Sequence, residues 1–163
     1  MKYLLVLGVL LLPHGCQTPP VEMTPEEIAQ IESVIKAQAE ALVTTQNSLD
    51  ADGFLAYFSK EGLEWVNLAT LHRSYEEVDE FIRAVLGPLD SFESGWNDLG
   101  VTVLSNEAAL SHGNWWGKQV EGNRVTSADP IYWTALHELQ ADGSWMITRV
   151  HQSWGNMRTE EVE

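Results

Sequence analysis

The spacing of apolar residues changes near residue 90, and that change constrains the fold more than any other feature of this 163-residue chain. Upstream, Ile28, Ile31, Ile35 and Leu42 recur at helical spacing. Thr24-Pro25-Glu26-Glu27 precedes them and offers an N-cap, a proline at the first helical position and a glutamate that completes a capping box. A long amphipathic helix therefore starts there. The stretch FLAYFSKEG predicts a short helix ended by Gly62, and LEWVNL, residues 63–68, predicts a strand. Ser74-Tyr75-Glu76-Glu77 is a second capping box, with Val78, Phe81, Ile82 and Val85 as the buried face of a third helix closed by Gly87-Pro88. Downstream the period is two. Strands are predicted near 91–104, 107–117, 124–140 and 144–154, separated by the turn-like SNE, VEGN and ADGS. Helices first and neighbouring strands later indicate an α+β fold with a largely antiparallel sheet.

The chain opens MKYLLVLGVLLLPHGCQTPP, a lysine and an apolar run too short to span a bilayer, which reads as a secretion signal. Gly15 before the chain's one cysteine resembles the lipobox of bacterial lipoproteins, although Pro13 and His14 depart from that pattern. The resemblance implies a signal peptide over 1–15, a lipidated Cys16 and a tether over 16–23. The folded domain then covers 24–156 and an acidic tail 157–163. The protein is expected to be exported and lipid-anchored in the bacterial cell envelope; ordinary cleavage with a free thiol is the alternative. If Cys16 is lipidated, neither a disulfide nor a cysteine nucleophile is available. Nine basic residues against 24 acidic ones give a net charge of −15. Such a surface argues against nucleic-acid binding, because phosphate contacts need clustered lysine and arginine. It also has no electrostatic attraction to anionic lipid, which leaves the anchor at Cys16 to hold the membrane.

In order and spacing, IAQIESVIKAQAEAL, DADGFLAYFSKEGLEW, HRSYEEVDEFI, NEAALSHGNWW and LQADGSWMITRVHQS resemble the nuclear transport factor 2-like superfamily, in its SnoaL-like and ketosteroid-isomerase-like branch. The resemblance covers about residues 24–154. It implies a cone: a strongly bent antiparallel sheet wrapped around a long N-terminal helix and two shorter helices, with an apolar cavity between sheet and long helix. Some members catalyse in that cavity, many only bind, and many form homodimers through the outer sheet face. Fold alone does not fix function.

The isomerase branch implies a carboxylate base near the first strand and an oxyanion hole built from a tyrosine and a protonated aspartate. Here the first helix offers Gln38 and Ala39, the late strand offers Tyr132, Trp133 and Thr134, and only Glu64 stands near the base position, where Trp65 or Asn67 can replace it. The isomerase constellation is not matched. A SnoaL-like acid-base pair would need His112, His137 or His151 beside Asp98, Asp129 or Glu138, a match by residue type alone. The weak catalytic candidates are Glu64, His112 and His151. No metal-ligand spacing, nucleophile elbow or cofactor motif occurs, so no metal and no cofactor are assigned.

Seven tryptophans are the chief oddity of composition. They either fill the core of a bent sheet or line a cavity for a flat, hydrophobic or cationic molecule. On an unbroken strand 144–154, Met146, Thr148, Val150, Gln152 and Trp154 share one face, and Trp145, Ile147, Arg149, His151 and Ser153 share the other; a bulge would reverse the assignment. The resemblance sets the first group toward the cavity and Arg149 with His151 outside. The candidate ligand-binding residues are Tyr57, Trp65, Trp116, Trp133, Thr148, Val150 and Trp154. Three readings follow: a binding domain for a small apolar or aromatic ligand, an acid-base enzyme of SnoaL or isomerase kind, and a dimerising interaction module whose cavity is filled by its own tryptophans.

Overall fold

The computed structural model describes residues 23–162. The signal segment, Cys16 and nearly all of the tether lie outside the described residues. Helix α1, Pro25–Asn47, begins as the sequence predicts: the Thr24 hydroxyl accepts the Glu27 N–H at 3.2 Å, and the Glu27 carboxylate accepts the Thr24 N–H at 2.8 Å. Its buried face is Ile35, Ala39 and Leu42. Asp50 caps the five-residue α2, Ala51–Leu55, which buries Phe54 and Leu55. Ser74 caps α3, Tyr75–Leu86, and Val78, Ile82 and Leu86 form its buried stripe.

The strands are β1 (Glu64–Asn67), β2 (Thr70–His72), β3 (Ser91–Ser105), β4 (Ala108–Glu121), β5 (Arg124–Leu139), β6 (Trp145–Trp154) and β7 (Arg158–Glu161). They form one sheet in the order β2-β1-β6-β5-β4-β3, with β7 added to β5. All pairings are antiparallel except β1 on β6. Irregularities fall at Trp96/Asp98 and Val103/Ser105 between β3 and β4, at Trp115/Gly117 between β4 and β5, and opposite Leu136/His137 between β5 and β6. Bulges of this kind bend a sheet and sharpen its twist. At Gly113, φ is 151° and a Cβ would sit 2.1 Å from the Asp98 carbonyl oxygen, so only glycine fits that bend. The result is a curved, unclosed sheet with the helices in its concavity, the α+β class that the sequence pattern predicts and the cone that the family resemblance implies.

Two features go beyond the sequence reading. Within the acidic C-terminal segment, Asn156 turns the chain at φ 36°, Gly155 donates to the Pro130 carbonyl at 2.9 Å, and β7 then pairs with Arg124–Ser127. Strand β6 does not alternate cleanly. Ile147 pairs with His137 and Arg149 with Leu136, leaving Thr148 as an extra residue. That residue shifts the phase by one, so Trp145 and Ile147 point inward on one side of it and Val150 and Gln152 on the other. Arg149 and His151 remain exposed outside.

Candidate functional site

Between the C-terminal half of α1, α3 and the concave face of the sheet lies a cavity walled by aromatic rings. Trp65 from β1, Trp96 from β3, Trp115 from β4, Trp133 from β5 and Trp154 from β6 all line it. Trp133 stands edge-on to both Trp65, at 6.0 Å and 88°, and Trp96, at 6.3 Å and 76°. Trp65 also stacks on Phe58 at 5.4 Å and 8°, and meets the edge of Phe81. Most of these rings are tied by their indole N–H: Trp96 donates to the Ala39 carbonyl at 3.1 Å, Trp133 to Ser111 Oγ at 3.1 Å and Trp154 to Asn67 Oδ1 at 2.8 Å. A wall locked in this way is preorganised.

The polar groups of the wall are four carboxamides, Gln46, Asn67, Gln119 and Gln152, and the buried indole N–H of Trp65, which has no partner among the described residues. Gln152 is only 4% exposed, and no side-chain hydrogen bond to the described residues ties it down. The lining contains no acid, base, hydroxyl or thiol side chain. The whole unfilled volume, mouth included, is about 560 Å³, yet the part in which the centre of a water molecule can move is only about 50 Å³. That room corresponds to roughly three to five waters.

Behind the wall sits a polar network. Gln38 Nε2 donates to the Trp145 carbonyl at 2.7 Å, which turns its Oε1 toward His137 Nδ1 at 3.2 Å. Nδ1 therefore carries the proton, Nε2 accepts from the Ser111 hydroxyl at 2.9 Å, and the same oxygen accepts the Trp133 N–H. His137 and Ser111 are buried, and burial pushes the imidazole down to about 4. The ring is neutral at physiological pH. The serine–histidine contact has the length of a nucleophile–base pair, but neither residue reaches the cavity wall, so its role is to fix Trp133.

Of the sequence-predicted ligand residues, Trp65, Trp133 and Trp154 meet in the wall. Tyr57 and Val150 pack in the core around it, and Thr148 is buried at the β6 bulge with its hydroxyl unpartnered. Trp116 faces the convex side, and its neighbour Trp115 lines the cavity. Glu64 lies outside, paired with Arg149 at 3.1 Å, while its neighbours Trp65 and Asn67 face inward. His112 is exposed and bonds Thr102 Oγ1 at 3.2 Å, and His151 is exposed on β6. Sequence reasoning missed Trp96, Gln46 and Gln119 as wall residues, as well as the Gln38–His137–Ser111 network. The alternation Trp133, Ala135, His137 on one strand was the available signal for the last.

No family model matches the sequence, and no curated protein does. Solved structures match at the level of fold. A nuclear transport factor 2-like superfamily protein from Salmonella enterica superposes with a TM-score of 0.71 at 13% identity, covering 77% of this chain and 92% of that one. The hexachlorocyclohexane dehydrochlorinase LinA-type3 of Novosphingobium barchaimii gives 0.65 at 14% identity, over 78% and 88% of the two chains. An NTF2-like protein of unknown function from Pseudomonas putida gives 0.63 at 16% identity, over 77% and 87%. The bent sheet with the helices in its concavity thus has the same fold as these nuclear transport factor 2-like proteins.

Proposed function

We propose that this domain holds a small, flat, uncharged ligand in the tryptophan-walled cavity without transforming it. The observation that carries the reading is the wall itself, five indoles and four carboxamides with no titratable side chain among them. Acid-base catalysis needs a proton carrier within hydrogen-bond reach of the reacting atoms, and this lining offers none. A charged guest would leave its charge unpaired in an apolar site, whereas a neutral one can use ring faces for its body and amides for its polar edge. The dehydrochlorinase neighbour, by its name, acts on hexachlorocyclohexane, an uncharged ring, which agrees with a fold suited to such guests. On this reading the protein is exported and held in the bacterial envelope by a lipid on Cys16.

The small free volume supports a second reading, an interaction module whose tryptophans mainly fill its own core and which dimerises through the convex sheet face. Tyr132 on that face is 54% exposed. Native mass spectrometry of the mature protein, purified from its host without refolding, separates the two. A small-molecule adduct lost on denaturation, and absent from the Trp133→Ala variant, supports the binding reading. Bare monomer or dimer masses alone would overturn it in favour of the module.

A further inference from the structure

We propose that a second site, on the convex face of the sheet, binds an aromatic carboxylate carrying a hydrogen-bond donor at the far end of its ring. Three strands build it. Lys118 of β4 is in register with Ser127 of β5, and Ser127 with Arg158 of β7. Directly paired residues project from the same face about 5 Å apart, so the two long cationic side chains flank the Ser127 hydroxyl. A carboxylate set over Ser127 is within reach of all three. Trp116, two residues before Lys118 on the same face, stands on one side, and Asn156 and Arg158 line the other. The floor between them is the backbone of Gly117 and Ala128, whose side-chain positions face the core on the other side of the sheet. The indole lies across Gly95 of β3, where a Cβ would approach its nitrogen to 3.0 Å, so the absence of a side chain there gives the ring its place.

Charge points to the occupant. The chain has nine basic residues against 24 acidic ones, and Arg83, Arg124 and Arg149 are all spent on carboxylates. Lys118 and Arg158, like Lys36, Lys60 and Arg73, make no ion pair among the described residues, but these two face one groove together. Glu93 sits across from Lys118 on β3 but forms no ion pair with it, and Glu160 follows Arg158 on the same face of β7. Asp129 supplies the groove's own negative charge, held by Asn97 Nδ2 at 2.8 Å. Ser127 and Asp129 both line the groove and are two residues apart along β5, so their Cα atoms lie no more than about 7 Å apart. That is close to the span from a carboxylate to a para substituent across one benzene ring. The arrangement therefore pairs an anion at Lys118, Ser127 and Arg158 with a donor at Asp129, and disfavours polyanions. The planar body between them lies against Trp116.

The test follows the seven indole N–H resonances of the mature protein by NMR during titration with para-hydroxybenzoate, with Trp116→Phe assigning its peak. The expected result is a saturable shift of the Trp116 resonance. It should weaken about tenfold or more with neutral para-hydroxybenzamide, and again in a Lys118→Gln, Arg158→Gln double variant. Both substituted side chains stand on the surface, so the double variant keeps its fold, checked by its other indole peaks. No shift up to about 10 mM ligand, equal binding of the amide, or shifts at Trp133 and Trp154 in place of Trp116 would each overturn the proposal. A Trp116 peak that moves with protein concentration but not with ligand would overturn it too, and would assign this face to contact between copies. Because the cavity indoles report separately, failure here leaves the concave-cavity reading standing, and the reverse.

Discussion

At the scale of single residues, the most consequential side chain is one that never meets solvent. His137 titrates near 6.5 when unfolded and near 4 in the fold, because burial disfavours its charged form. As pH falls, the unfolded chain therefore binds the proton first. The histidine's contribution to stability is complete above about pH 6.5, declines from there to about pH 4 and is flat below, a total of about 3 kcal/mol at about 1.4 kcal/mol per pH unit of difference. Urea denaturation across this range should show that loss in the natural protein and not in His137→Gln. Equal pH dependence in the two would remove the assignment. Because Trp133 rests on Ser111, and Ser111 on His137, the same acidification should loosen the cavity wall before global unfolding, visible as a change in tryptophan fluorescence.

At the scale of elements, the helix starts were legible because caps are local: Thr24 and Ser74 each declare an N-terminus within four residues of sequence. The bulges were not. Thr148 looks like any other member of an alternating strand, and only the cross-strand pairing shows that it is the extra residue. The same holds for Trp115 and Trp116: adjacency says that they face opposite ways, but the irregularity at Trp115/Gly117 and the tertiary context decide which one turns inward. Strand β7 was hidden because RTEE carries no apolar alternation, and its pairing depends on a turn at Asn156. The bulge also yields a prediction. The Thr148 hydroxyl is buried without a partner, so the near-isosteric Thr148→Val should stabilise the protein by about 1 kcal/mol in denaturant titrations, and destabilisation would mean that the hydroxyl is satisfied by bound water.

For the molecule as a whole, the fold was readable and the chemistry of the site only partly so. Element order and period sufficed for an α+β fold with a largely antiparallel sheet, and the family resemblance implied the cone, whereas the cavity wall draws on all three helices and on β1, β3, β4, β5 and β6, which no local pattern brings together. Net charge acts at this scale as well. With an excess of 15 acidic over basic residues, self-repulsion opposes the compact state, and the ion pairs present are largely exposed and worth little. Raising salt from about 20 to about 200 mM shortens the screening length and should raise Tm by calorimetry. A fall would show that the surface ion pairs outweigh the repulsion.

The bulge at Thr148 bears on how the chain reaches this structure. A sheet assembled mainly from distant pairings folds slowly, and a strand of plain alternation could slide by two residues along β5 and still bury its apolar face. Strand β6 cannot. Its inward residues change phase at Thr148, so a slide that leaves the bulge in place opposite Leu136 and His137 brings Arg149 or His151 against the core or leaves Ile147 or Val150 outside. The extra residue works as a key cut for one lock, making misaligned β5–β6 ladders short-lived during assembly, and a chain lacking Thr148 should accumulate them.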